Sequence, residues 1–279
     1  MKRKLLNEDA VRAYHNNGFF LPVDVLSTTE VTHYRNKLES YEKESNQTIQ
    51  GSYRSNSHLL FTWIDELIRK PTILDAVEDL IGPDILCWNT LWWIKEPHSQ
   101  SFVSWHQDIR YWGLDTNDLV NVWLALSLAN TQSGCMKVLP ASHKGEILPH
   151  TDKYESNNLL TRGQEISSAI DQSRTVAMEL LPGQISLHNV KIAHGSGPNR
   201  TNDRRIGLSI QYIPTGARQL AVEWDSASLC RGNDDFGHFE LAPRPKSDLD
   251  HEAQKFHERA ADATREILFK GAIKVRPLL

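Results

Sequence analysis

The sequence predicts a mainly β protein with flanking helices and a core of short strands, a sandwich or barrel of jelly-roll type. Three observations carry that expectation. From Asp84 onward the chain breaks into short runs rich in Val, Ile, Leu and Trp, at 84–95, 119–129, 134–139, 174–180, 184–188 and 205–213. Turn residues such as Pro97, Gly113, Ser133-Gly134 and Pro182-Gly183 separate them, the punctuation of a sandwich or barrel. Helical patterns are confined to the two ends of the chain.

In chain order, residues 7–17 read as a short helix opened by Asn7 and closed before Gly18. Ser27-Thr28-Thr29-Glu30 is a capping box, in which the serine hydroxyl accepts from the backbone N–H three residues on and the glutamate reaches back. It opens a helix to about Ser45. A further helix is expected over 63–81, ending at Gly82-Pro83 because proline cannot continue it. The polar, irregular segment 142–173 reads as a long insertion between strands, of the kind that covers a site. The tail 249–270 is helical again. With no internal repeat, low-complexity tract or linker, 1–279 reads as one domain: a helical N-terminal region over 1–83, a β core of about 84–215, and a C-terminal loop and helix over 216–279.

Two strands have distinct faces, because side chains alternate along a strand. In 119–129 the even positions are Val120, Val122, Leu124, Leu126 and Leu128, against Asn121, Trp123, Ala125, Ser127 and Ala129. In 205–212 they are Ile206, Leu208, Ile210 and Tyr212, against Arg205, Gly207, Ser209 and Gln211. The small-or-polar face meets either solvent or a polar cavity inside the barrel; the motif described next favours the cavity.

Composition narrows the class. At 279 residues, 39% hydrophobic and 24% charged, the chain affords a sizeable core and is not disordered. A net charge of −4 with no dense basic block argues against nucleic acid or an anionic membrane as partner. The cysteines, Cys87, Cys135 and Cys230, form no CxxC pair, so neither a disulfide framework nor a cysteine zinc site is expected, and a reducing, cytoplasmic setting fits. The N-terminus turns polar before a signal-type apolar run develops, and no stretch approaches ~18 apolar residues, so nothing is expected to span a bilayer. The Trp88/Trp92/Trp93 cluster reads as core, since a nucleic-acid stacking surface would interleave with basic residues.

His106-Gln107-Asp108 follows a predicted strand, where residues i and i+2 project to one side. His194 lies far downstream. Two histidines and a carboxylate form a facial triad with open coordination positions, a set suited to Fe(II). Alone the signal is weak: among 12 histidines one precedes an aspartate this way by chance, as an exposed loop pair or a hydrogen-bonded core residue. Arg205 adds weight. It opens a strand on its polar face, and a guanidinium there offers a carboxylate a planar, bidentate grip. Arg204 has the opposite parity and reads as peripheral. His188 could share a face with His194, yet one distal ligand suffices. His58, His98, His143, His150 and His238 read as surface or hydrogen-bonding residues. A zinc hydrolase or isomerase on the same ligands leaves Arg205 unexplained; a non-catalytic barrel leaves the polar faces without purpose.

The stretches WHQD (105–108), VWLAL (122–126), NTQSGCMKVLPASHK (130–144) and LHNVKIAHGSGPNRTNDRRIGLSIQYIP (187–214) resemble the phytanoyl-CoA dioxygenase family in its bacterial branch, over roughly residues 10 to 240. The resemblance implies a double-stranded β-helix using Fe(II), 2-oxoglutarate and O2, which hydroxylates a C–H bond and releases succinate and CO2. Position by position it makes His106, Asp108 and His194 the iron ligands, Arg205 the anchor of the distal carboxylate of 2-oxoglutarate, and Ser196 a hydroxyl assisting that arginine. Asn121, Trp123 and Lys95 fall where co-substrate or pocket contacts belong. Asp108 being present, the chain lacks the small residue that frees a chloride site in halogenating relatives.

The expected substrate is a small polar metabolite. One bacterial group that the chain resembles hydroxylates 2-aminoethylphosphonate beside phosphorus, a first step of phosphonate catabolism, and Arg110, Lys137, His143, Arg162 and Arg218 are available donors for such a dianion. Arg110, Tyr111 and Trp112 follow the metal motif and read either as pocket rim or as packing under a loop; Arg162 and Gln164 read as lid contacts. Phytanoyl-CoA itself is disfavoured, because no extended basic groove awaits a nucleotide. Oligomeric state is not legible.

Overall fold

The computed structural model describes residues 3–275 and Leu278. The N-terminal region holds α1 (Glu8–Asn17), β1 (Phe19–Asp24), α2 (Thr28–Ser45), α3 (Thr62–Ile68) and α4 (Pro71–Ile81). Then follow β2 (Ile85–Lys95), β3 (Val103–His106), α5 (Ile109–Trp112), β4 (Val120–Ala125), β5 (Met136–Val138), β6 (His150–Asp152) and β7 (Gln164–Ile166). The chain continues through β8 (Val176–Ala177), β9 (Gln184–Asn189), β10 (His194–Ser196), β11 (Arg205–Pro214), β12 (Ser226–Arg231), β13 (Glu240–Leu241) and α6 (His251–Phe269).

Two sheets build the jelly roll. The larger has the order β1-β9-β4-β11-β2-β12-β13 and the smaller β3-β10-β5-β8; β6 and β7 form a separate hairpin. The larger sheet carries helices on one face: Val120, Val122, Leu124, Ile206, Leu208, Ile210 and Tyr212 share a buried cluster with Ala10, Val11, Tyr34, Leu38, Leu67 and Val77 of α1–α4. The opposite parity, Asn121, Trp123, Arg205, Ser209 and Gln211, lines a cavity. The polar strand faces therefore look into the roll.

The expected caps form. Asn7 accepts from the Ala10 N–H and Gly18 closes α1 at φ 85°. Ser27 and Glu30 complete the capping box of α2. The single helix expected over 63–81 is two, α3 and α4, because Pro71 opens a new helix at its first turn, where its missing N–H goes unneeded. The sheet also reaches beyond the expected 84–215: β1 pairs with β9, and β12 pairs with β2. The insertion 142–173 is less irregular than expected, since it contains the β6–β7 hairpin.

Gly207 on β11 is required by close approach. A Cβ there would stand 1.9 Å from the Trp123 ring. Gly207→Ala is expected to cost about 1–3 kcal/mol of stability through overpacking, read as a lower urea midpoint; an unchanged midpoint would show that the indole yields freely. Among the described residues no helix is long and apolar enough to cross a membrane.

Candidate metal centre and cavity

His106 ends β3 and His194 begins β10, and the antiparallel pairing of these strands sets the two residues directly opposite each other. Their ring centroids lie 4.1 Å apart. His106 Nδ1 is 2.9 Å from the Ser104 carbonyl oxygen, and His194 Nδ1 is 3.0 Å from that of Ile192. A carbonyl only accepts, so each Nδ1 donates and each Nε2 keeps its lone pair free. Asp108 Oδ1 lies 3.2 Å from His106 Nε2, and Oδ2 lies 3.8 Å from His194 Nε2. One donor atom from each residue falls within 4.8 Å of the others. The convergence does not come from an extended i, i+2 pair, as the sequence suggested. Asp108 is already in helical conformation, φ −61° and ψ −44°, at the start of α5, and the turn brings its carboxylate back under the imidazoles.

Electrostatics suit a metal. Burial alone would raise the Asp108 carboxyl, but His194 and His106 more than offset it and bring it down to about 2. Burial, then His106, pushes His194 down to about 4. Asn121 Nδ2 donates to Asp108 Oδ2 at 2.8 Å and orients the carboxylate. His188 sits 5.2 Å from His194, ring to ring, but is not one of the three residues whose donor atoms converge.

Beside this group stand two buried basic side chains. Arg205 and Lys95 are partners across β11 and β2. Arg205 Nη1 donates to the Gly134 carbonyl at 2.9 Å, and its guanidinium carbon lies 5.3 Å from the Trp123 ring centroid. Lys95 Nζ donates to Ser196 Oγ at 2.7 Å, to the Gly134 carbonyl at 3.3 Å and to the Gly197 carbonyl. Ser196 is thus met by Lys95 rather than by Arg205. Every acceptor named is neutral, and Arg205 Nε is buried with no partner at all. Burial, then the charge of Arg205, pushes Lys95 down to about 6; burial pushes Arg205 down to about 10. Charge held out of water without a counter-anion is costly, which is why the Lys95 amine gives up its proton readily beside the charged Arg205. A bound carboxylate would remove that cost, so these donors fit an anionic ligand held beside the metal-donor group.

The cavity is closed by the insertion and by α6. Leu159, Arg162 and Gln164 line it from one, and Thr264, Ile267 and Leu268 from the other. Arg162 ties the two together: its Nε lies 2.7 Å from Asp152 and its Nη1 donates to the Leu268 and Lys270 carbonyls. Of the other rim candidates, Trp112 lines the cavity. Arg110 is exposed and outside it, and Tyr111 packs edge-on to His150 and under the Arg162 guanidinium instead. Lys137, His143 and Arg218 do not line it either. Of the tryptophan cluster only Trp92 belongs wholly to the core; Trp88 and Trp93 also line the cavity. Sequence reasoning missed Arg54, a buried cavity residue in a segment with neither periodicity nor motif.

Comparison with known proteins bears on this geometry. Residues 14–207 match the family model described as phytanoyl-CoA dioxygenase. A probable alpha-ketoglutarate-dependent hypophosphite dioxygenase of Stutzerimonas stutzeri is 31% identical over 188 residues, covering 66% of this chain and 65% of that one. The human peroxisomal phytanoyl-CoA dioxygenase is 26% identical over 251 residues, covering 81% and 74%. Among solved structures, the non-heme monooxygenase ThoJ in its apo form superposes with a TM-score of 0.83 at 32% identity, covering 93% of this chain and 97% of that one. The chain belongs to the phytanoyl-CoA dioxygenase family and is, with that family, an iron- and 2-oxoglutarate-dependent dioxygenase.

Proposed function

We propose that the chain, acting as one oxygenase domain in the cytoplasm, hydroxylates an unactivated C–H bond of a small polar metabolite, with 2-aminoethylphosphonate, attacked beside phosphorus, as the leading candidate. No nucleic acid or membrane is involved. His106, Asp108 and His194 hold the iron. Arg205 and Lys95 receive the distal carboxylate of 2-oxoglutarate, Ser196 positions Lys95, Trp123 supports the Arg205 guanidinium, and Asn121 aims Asp108. The observation that carries this reading is the metal donor group standing beside two buried basic side chains, Arg205 and Lys95, whose hydrogen-bond acceptors are all neutral. When bound, iron, 2-oxoglutarate and O2 supply the oxidising power, and the protein contributes position and dryness. No protein group is needed as a general base. The hypophosphite enzyme among the relatives supports a phosphorus oxyanion over an acyl compound, the other small-molecule option. The test is O2-dependent succinate formation from 2-oxoglutarate across a panel of aminoalkylphosphonates, amino acids and acyl compounds. Succinate formation that rises with a phosphonate and yields the hydroxylated product is expected; stimulation by another class alone would overturn the candidate.

Co-substrate binding should also be pH-dependent. Because the Lys95 pKa is lowered to about 6, the amine is largely neutral at pH 7–8 until a carboxylate arrives and restores its charge. Binding of 2-oxoglutarate then takes up a proton, so affinity weakens as pH rises above about 6. Calorimetry in buffers of differing ionisation enthalpy measures this; proton release would refute it.

A further inference from the structure

We infer that Arg54 is the anion receptor for the prime substrate: a second cationic anchor, separate from Arg205, that selects molecules bearing a compact oxyanion head such as a phosphonate. The inference rests on the function proposed above and specifies the substrate class of that same cavity. Arg54 is only 8% exposed, yet it lines the cavity. Its Nε donates to the Trp92 carbonyl at 2.7 Å and its Nη1 to the Leu159 carbonyl at 3.0 Å. The guanidinium carbon lies 4.8 Å from the Trp93 ring centroid. These contacts fix the guanidinium plane and leave Nη2 buried with no partner. Burial alone moves its pKa, down to about 10; no acid offsets the loss of water. A rigid, desolvated guanidinium with an unused N–H edge is completed by a ligand oxyanion, which it grips in its own plane.

Arg54 and Arg205 are different anchors. Trp93 lies against Arg54 and is itself held by donating from Nε1 to Ser209 Oγ at 3.0 Å. Trp123 lies against Arg205. The two indoles come from β2 and β4, the strands that flank β11, so each arginine has its own aromatic support. In the function proposed above Arg205 would take the distal carboxylate of 2-oxoglutarate, which leaves Arg54 for the substrate. The rest of the cavity limits what that substrate is. Among the described lining residues the only carboxylate is Asp108, which the metal takes. The same cavity is lined by Trp88 and Trp112, indoles able to attract an ammonium, and by Gln211, whose Oε1 is buried without a partner. That combination suits a short zwitterion or a simple alkyl oxyanion.

The experiment uses the full chain loaded anaerobically with Fe(II) and 2-oxoglutarate, whose visible charge-transfer band is followed as probes are added. Methylphosphonate, 2-aminoethylphosphonate, 3-aminopropanoate and ethanolamine vary the head group. Phosphonates should perturb the wild-type band at low concentration and ethanolamine should not; a carboxylate as effective as a phosphonate would overturn the head-group preference while keeping Arg54 as receptor. Arg54→Gln should raise the half-saturating phosphonate concentration about 30-fold, the value of a charge-assisted hydrogen bond, with 2-oxoglutarate half-saturation within about twofold of wild type. Arg54→Lys should recover some of the loss and guards against a folding defect in the first variant. Equal weakening of probe and 2-oxoglutarate, or no weakening of the probe, overturns the inference. A wild-type band that no oxyanion perturbs also overturns it, whereas a wild-type protein that forms no band overturns the proposed function itself.

Discussion

Replacing His106 or His194 by alanine is expected to abolish turnover and to weaken iron(II) binding by more than about a hundredfold. Loss of an outer partner alone costs about 10–100-fold in metal affinity, and these substitutions remove a ligand. The geometry leaves no substitute. The two residues face each other across β3 and β10, each with Nδ1 committed to a carbonyl, and His188 is not close enough to join the donor group. Asn121→Ala, which removes only the hydrogen bond to Asp108, should fall in the smaller range. Equilibrium dialysis against Fe(II) under argon ranks the variants. A His106→Ala protein that binds iron as tightly as wild type would mean the metal sits elsewhere.

The second large effect concerns Arg205. Arg205→Ala should weaken 2-oxoglutarate by about 10- to 150-fold, because a buried charge-assisted grip is worth about 1.5–3 kcal/mol and Lys95 remains to supply only a point charge. Iron affinity without co-substrate should not change, since Arg205 contacts the Gly134 carbonyl and the Trp123 ring, not the metal donors. Arg205→Lys should be intermediate at best, as a lysine cannot grip two oxygens in one plane. Unchanged 2-oxoglutarate affinity in Arg205→Ala would remove the arginine from the site.

Much of the site was legible because its residues obey strand parity. Val120, Val122, Ile206 and Leu208 announce one face, and Asn121, Trp123, Arg205 and Gln211 then must share the other. What escaped reading depends on tertiary contact. β1 carries Pro22, which cannot donate to a ladder and masks an edge strand. β12 (SASLCR) is too short of alternating apolar residues to stand out. The break between α3 and α4 was written in Pro71, but a continuous apolar period across it hid the boundary. Asp108 was assigned correctly to the donor group on an incorrect local geometry, since a strand end and a helix start both follow His106 within two residues. Arg54 is the clearest case: its role comes from burial against Trp92, Trp93 and Leu159, distant in the chain. Conversely Arg110, which adjoins the metal motif in sequence, ends up in solvent. Proximity along the chain was a poor guide to the pocket, and side-chain parity a good one.

The most direct test is an anaerobic titration of the wild-type protein with Fe(II) and then 2-oxoglutarate, followed in the visible region. One metal per chain and a charge-transfer band that saturates with 2-oxoglutarate are the expected outcome, because a 2-oxo acid that chelates iron(II) in the site would produce that absorption. Full iron loading with no band at saturating 2-oxoglutarate would contradict the account.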